Sequence, residues 1–122
     1  MSTARLTPLG KALRKMRIEY SERLLDMAEK LEVSTSFLAA VEMGRKPPPN
    51  GFGGRVVVRY QLDDLKAHAL LSAETETRKS FVLSPRSAEA KQTVALLARN
   101  INELTSDQLF KIRAIAEKKE SK

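Results

Sequence analysis

The feature that most constrains this chain is a pair of short amphipathic segments joined by a tight turn, within residues 24–43. At about 100° per residue, Phe37, Leu38 and Val41 fall on one face of the second segment. The opposite face carries only small or slim side chains: Thr35, Ser36, Ala39, Ala40 and Met43. This spacing predicts a helix over residues 34–43, with an apolar back packed inward and a front that another molecule can approach closely.

Both ends of this predicted helix carry end signals. Ser34 is a favourable N-cap, because its hydroxyl can accept a hydrogen bond from a free N–H of the first turn. Gly44 stands where helices commonly end in a left-handed residue, and the cations Arg45 and Lys46 follow at once. Prolines and glycines at 47–54 then interrupt the helical pattern, and we predict a flexible connector there.

Two further helices are predicted before this one, over residues 9–20 and 24–31. Each has apolar residues at helical spacing and polar residues elsewhere. The inward-facing residues are Leu9, Leu13 and Met16 in the first, and Met27, Ala28 and Leu31 in the second. Val33 would close the turn from below. Three helices around one tight turn therefore form the predicted centre of the chain.

This stretch resembles the Cro-type, lambda-repressor-like helix-turn-helix family of transcriptional regulators, the XRE class. The resemblance is carried, without gaps, by Arg17, Met27-Ala28, Val33-Ser34 and Glu42-Met43-Gly44. It implies an all-α fold with a five-helix DNA-binding domain over residues 1–80. It also implies a partly buried structural ion pair between Arg17 and Glu42.

The resemblance further implies which residues contact double-stranded DNA. The second helix of the motif would lie in the major groove and read base edges through Thr35, Ser36, Ala39, Ala40 and Met43. Phosphates would be held by Arg23, Ser34, Arg45 and Lys46, with Arg14 and Lys15 as further candidates.

The chain departs from the family pattern around the second helix. Glu32 stands where the turn usually has glycine, and a non-glycine residue in the left-handed region costs about 1 kcal/mol. We therefore expect a slightly remodelled turn. Leu24 replaces a glutamine and Arg23 replaces a small polar cap, so an earlier cap at Ser21 is predicted.

The rest of the chain divides into several elements. Residues 56–58 are strand-like by composition, but the resemblance implies a helix, which we favour. Residues 81–83 form a short apolar run, predicted as an edge strand or an extended segment. Two amphipathic helices are predicted to complete residues 81–122 as a C-terminal hairpin. The first begins at Ser84-Pro85 or at Ser87. The second begins at Thr105, where Gln108 completes a capping box.

The apolar stripes of this hairpin need a partner. They consist of Val94, Leu97, Ala98, Ile101 and Leu104 in the first helix, and Leu109, Ile112, Ile115 and Ala116 in the second. Two such helices cannot bury both stripes alone, so the hairpin must dock on the first domain, on a second copy, or on another protein. We favour a homodimer, because a single helix-turn-helix reads only a few base pairs.

Composition bounds the function. The 122 residues carry a formal net charge of +7, which favours an acidic partner such as nucleic acid. There is no cysteine and only one histidine, so no catalytic site, metal site or cofactor is expected, and the chain is not predicted to be an enzyme. No apolar run predicts a membrane span or a secretory signal, and we expect a cytoplasmic, DNA-associated protein encoded by a bacterium, phage or plasmid.

Two functions follow as expectations. The first is a sequence-specific regulator, most readily a dimeric repressor that binds an inverted-repeat operator. The alternative is the antitoxin of a toxin–antitoxin pair, which would also repress its own operon and would bind its toxin through the C-terminal helices.

Overall fold

The computed structural model describes residues 5–118, and every regular element within that range is helical. The elements are α1 (Pro8–Tyr20), α2 (Leu24–Leu31), α3 (Thr35–Glu42), α4 (Phe52–Arg59), α5 (Asp64–Thr77), α6 (Ala88–Asn100), a 3-10 turn (Ile101–Glu103) and α7 (Ser106–Glu117). The predicted all-α class is confirmed, and the strand alternative for residues 81–83 is wrong. The chain divides into two compact units, one ending at Val82 and the other beginning at Leu83.

Helices α1 to α5 surround the core of the first unit. Helix α1 packs against α3 and α5, α2 packs against α3 and α4, and α4 also packs against α5. The largest fully buried side chains are Leu9, Leu13, Met27, Leu31, Leu38, Val41, Phe52 and Val56. Val56 faces this core from α4, so the prediction of a helix over residues 56–58 is confirmed.

The start of α1 is tied to the end of α3. The Thr7 hydroxyl accepts a hydrogen bond from the Gly10 N–H at 3.0 Å and so caps α1. The Thr7 N–H and hydroxyl also donate to the Glu42 carbonyl oxygen at 2.9 and 3.1 Å. A Cβ atom at Gly10 would lie 2.2 Å from that oxygen, so this close approach requires glycine.

Gly10→Ala is therefore expected to lower the free energy of unfolding by about 3 kcal/mol or more, the upper range for overpacking, because the obstructing atom belongs to the backbone. Gly54→Ala is the matched control. An added Cβ there meets nothing within 4 Å, and alanine favours a helix over glycine by up to about 1 kcal/mol.

Urea unfolding followed by tyrosine fluorescence measures both variants. The chain has two tyrosines and no tryptophan, and both Tyr20 and Tyr60 lie in the first unit. The signal therefore reports this unit alone. Equal midpoints for the two variants would contradict the required approach of α1 to α3.

The turns on either side of α2 correct two predictions. Ser21 adopts a left-handed conformation at the end of α1, with φ of 55°, so the earlier cap predicted there is wrong. Helix α2 begins after Arg23. The Arg23 N–H donates to the Asp26 carboxylate at 2.8 Å, and this hydrogen bond takes the place of a small polar cap. Glu32 takes the left-handed conformation itself, with φ of 61°, so the remodelled turn is also not found. The Arg59 guanidinium donates a hydrogen bond to the Glu32 carboxylate at 2.6 Å, and this bond stabilises Glu32 in the left-handed conformation.

The connector between α3 and α4 is shorter than predicted, because residues 52–54 form the start of α4, and the rest is hydrogen-bonded to Arg78. The Arg78 guanidinium donates to the carbonyl oxygens of Pro48 and Pro49, both at 2.8 Å. Arg78 also binds Glu74 at 3.1 Å, and Glu74 accepts the Gly53 N–H at 2.9 Å. These bonds satisfy the carbonyls of a segment that proline leaves poor in donors.

The second unit contains α6 and α7. Ser87 caps α6, and the predicted capping box of α7 is present, with Thr105 and Gln108 bonded in both directions at 2.9 and 3.1 Å. No described residue from 83 to 118 is buried. Some stripe residues are half-buried, namely Val94, Leu97, Leu104, Leu109 and Ile112. Other residues of the predicted stripes are exposed, namely Ala98, Ile101, Ile115 and Ala116.

These exposed apolar side chains belong to short helices. Within residues 5–118, no helix has the length and apolar character that crossing a bilayer requires.

Candidate nucleic-acid interface

Helix α3 is anchored from behind. Leu38 and Val41 are fully buried, and Phe37 is half-buried against the same core. The Ser34 hydroxyl accepts the Phe37 N–H at 3.0 Å and caps the helix start. The apolar back predicted for this helix is thus the surface that fixes it to the first unit.

The front of α3 is built from small side chains. Ser36 is exposed, whereas Thr35, Ala39, Ala40 and Met43 are half-buried. The Ser34 and Ser36 hydroxyl oxygens lie 3.3 Å apart at the start of the helix. Apart from Met43, the side chains of this face are short, and Ser34 and Ser36 are both exposed, so another molecule can reach the two hydroxyls.

Two cations stand at the C-terminal end of this face. Gly44 has φ of 78°, and the N–H groups of Arg45 and Lys46 turn back to donate to the Ala40 carbonyl at 2.8 and 3.3 Å. Both side chains are exposed, and within residues 5–118 neither has a carboxylate partner. The Lys46 ammonium lies 5.9 Å from the centre of the Phe37 ring. This end therefore attracts anions.

Arg23 is placed differently from these two cations. Its guanidinium binds both carboxylate oxygens of Asp26, at 3.1 and 3.2 Å, although its side chain is 76% exposed. Hydrogen bonds from Arg23 lower the pKa of Asp26, and the bond to Asp26 raises the pKa of Arg23. A phosphate would have to share Arg23 with this carboxylate, so Arg23 is a weaker anion ligand than Arg45 or Lys46.

The structure brings Arg17 and Glu42 together behind α3. Their guanidinium and carboxylate form a two-point contact, with Nη2 to Oε1 at 3.2 Å and a second contact between Nη1 and Oε2. Their side chains are only 11% and 6% exposed. Arg17 Nη1 also lies 3.5 Å from the Met27 sulfur. This pair joins α1 to the last residue of α3 and fixes how the small-residue face is presented.

Sequence reasoning missed a group of residues that form hydrogen bonds and ion pairs at the end of α2. Arg55 and Arg59, both on α4, donate to the carbonyls of Leu31 and Lys30 at 3.1 and 2.6 Å. Tyr60 donates to Glu22 at 2.7 Å, and burial raises the pKa of its phenol. No local signal reveals these contacts, since the arginines lie 24 and 29 residues from the carbonyls they bind.

The interface offers hydrogen-bonding hydroxyls, methyl groups and cations, but no cluster suited to a metal. Across residues 5–118, no group of three or more histidine, cysteine or acidic side chains is arranged to hold an ion. No family model, curated protein or solved structure matches this chain.

Proposed function

We propose that this chain is a sequence-specific, double-stranded DNA-binding transcriptional regulator of the Cro-type helix-turn-helix class. In this proposal α2 and α3 form the motif of a five-helix domain made by α1 to α5. The observation that carries it is α3 itself, with its buried back, its front of mostly small residues, and two exposed cations at its end that no carboxylate of residues 5–118 pairs with. The major groove of B-DNA, about 12 Å wide, admits one such helix.

The proposal assigns contacts by chemistry. Ser36 and Thr35 donate or accept hydrogen bonds at base edges, and Ala39 and Ala40 contact thymine methyl groups. Met43 adds an apolar contact. Arg45 and Lys46 bind phosphates, which set the register of the helix in the groove, and Ser34 at the start of α3 and Arg23 at the start of α2 add further phosphate contacts.

We further propose that the regulator acts in the cytoplasm as a homodimer on an inverted repeat and represses transcription by occupying its operator. Half-sites one helical turn apart, about 34 Å, match two copies of α3 related by a two-fold axis. The second unit supports self-association, because none of its described residues is buried. A unit of about 40 residues whose described part has no buried core needs oligomerisation or another partner for stability.

The same observation supports a second candidate, an antitoxin that binds its toxin through α6 and α7. Leu96, Phe110 and Ile115 are 57–67% exposed and give such a partner apolar contacts. A full-length protein that stays monomeric in sedimentation up to 100-fold above its DNA dissociation constant would favour this candidate over the homodimer.

Selection of bound duplexes from a random DNA pool at moderate salt tests the main proposal. Enrichment of an inverted repeat with half-sites about one turn apart is expected. Enrichment of a single half-site would overturn the dimer. No enrichment, with only weak binding that salt abolishes, would overturn sequence-specific recognition.

Ser36→Arg is expected to abolish or change the operator preference without unfolding the protein. The long cation replaces a small hydroxyl on the proposed reading face, and Ser36 is exposed, so stability changes little. Ser72→Arg is the matched control, since it adds the same charge at an exposed position of α5. Repeating the selection with both variants measures the effect, and an identical preference for Ser36→Arg and wild type would contradict the assignment of α3.

A further inference from the structure

The C-terminal end of α2 is capped by side chains from another helix. The last carbonyls of a helix lack partners within it and carry partial negative charge. Here Arg59 Nη1 donates to the Lys30 carbonyl at 2.6 Å, and Arg55 Nη1 donates to the Leu31 carbonyl at 3.1 Å. Both cations come from α4, so a helix that is not part of the turn between α2 and α3 binds the end of α2.

Arg59 also binds Glu32, the residue that follows the last residue of α2. Its Nη2 donates to the Glu32 carboxylate at 2.6 Å, and this bond lowers the pKa of Glu32. Glu32 is the left-handed residue of the turn, a conformation that side chains other than glycine disfavour. One guanidinium thus binds both the carbonyl before the turn and the side chain within it.

A second set of contacts reaches the same end of α2. Lys30 forms an ion pair with Glu22, and Glu22 accepts a hydrogen bond from the Tyr60 hydroxyl at 2.7 Å. The Lys30 ammonium lies 4.7 Å from the centre of the Tyr60 ring. Tyr60 follows α4 directly, so α4 and its end hold residues 30–32 through several bonds.

We propose that Arg55 and Arg59 are positioning residues for DNA recognition, which set the orientation of α3 by fixing the turn before it. Only Val33 and Ser34 separate Glu32 from α3, so a rotation at Glu32 moves the whole reading face. Both Nη groups of Arg59 are engaged by protein oxygens, so the structure assigns this arginine to the turn and not to phosphate. The inference rests on the proposed DNA-binding function.

Arg59→Gln tests it, measured against the selected operator and a scrambled duplex of equal length at several salt concentrations. We expect operator affinity to fall about tenfold, comparable to one mismatched base pair, while scrambled-duplex affinity and the salt slope stay unchanged. Arg45→Gln is the matched control. It removes a proposed phosphate contact, so both affinities fall and the slope decreases by about 0.9 per contact. Arg59→Lys keeps the positive charge on a single donor nitrogen and should lose less operator affinity than Arg59→Gln.

Two outcomes of the binding measurements would overturn the proposal. If Arg59→Gln behaves like Arg45→Gln, the arginine binds phosphate; if operator and scrambled affinities fall by the same factor with no change of slope, it acts on stability alone. Hydrogen exchange without DNA provides a separate readout. The Val33 N–H, which donates to Ala28 at 3.0 Å, should exchange faster in Arg59→Gln than in Arg45→Gln. Unchanged exchange would also overturn the role of Arg59, whereas wild-type protein without operator preference would overturn the proposed function itself.

Discussion

Removing one charge of the Arg17–Glu42 pair is expected to lower the free energy of unfolding by about 3–5 kcal/mol, the usual cost of leaving its partner buried and alone. The two side chains are 11% and 6% exposed, so water cannot replace the lost contact. Arg17→Met leaves the Glu42 carboxylate in this position, and Glu42→Leu leaves the Arg17 guanidinium. Each variant should therefore be far less stable than wild type.

The double variant Arg17→Met/Glu42→Leu separates this cost from the net contribution of the pair. Replacing both charges by apolar side chains of similar size is often neutral or stabilising. We therefore expect the double variant to recover most of the lost stability, with strong non-additivity in the double-mutant cycle. Arg23→Gln is the control, because it removes one charge from an exposed pair and should shift the unfolding midpoint very little.

Urea unfolding followed by the fluorescence of Tyr20 and Tyr60 measures this cycle in the first unit. Single variants as stable as wild type would contradict the buried pair. Additive losses in the double variant would show that the two charges act independently. A recovered double variant that no longer selects an operator would show that the pair fixes the geometry of α3 more than it stabilises the fold.

The parts of the fold that follow from the sequence depend on neighbouring residues. Ser34, Gly44 and the Thr105–Gln108 capping box act within one helical turn, so residue type and spacing reveal them. The buried faces of α1 to α3 follow from helical periodicity in the same way. The Arg17–Glu42 pair joins residues 25 positions apart, and only the resemblance to a known family suggested it.

The parts that do not follow are contacts between distant segments. Arg78 binds carbonyls 29 and 30 residues away, so a loop read as flexible from its prolines and glycines is held in place. In the sequence, Gly10 looks like an ordinary helical glycine. Only the structure shows that the Glu42 carbonyl packs against it and leaves no room for a side chain. In the second unit, periodicity identifies apolar stripes on α6 and α7 but does not show what covers them.

Operator binding is expected to weaken by about 10³–10⁵ between 50 and 200 mM salt if the proposed dimer makes 6–10 phosphate contacts. Such a number is available on the surface. Among the exposed cations that have no carboxylate partner in the described part of the chain, the four phosphate candidates Arg14, Lys15, Arg45 and Lys46 would give eight contacts per dimer. Each neutralised phosphate releases condensed counterions, so eight contacts predict a log–log slope of about −7.

Fluorescence anisotropy with a labelled operator measures this slope. The double variant Arg45→Gln/Lys46→Gln shows how much of the slope comes from these two cations. Removing four contacts per dimer should make the slope shallower by about 3.6. A wild-type slope shallower than about −2 would contradict phosphate binding by these cations. An unchanged slope in the double variant would place the phosphates elsewhere on the protein. Ser36→Arg should lose the operator preference without making the slope shallower, because phosphate contacts supply affinity for any duplex, whereas we propose that the small face of α3 supplies the discrimination.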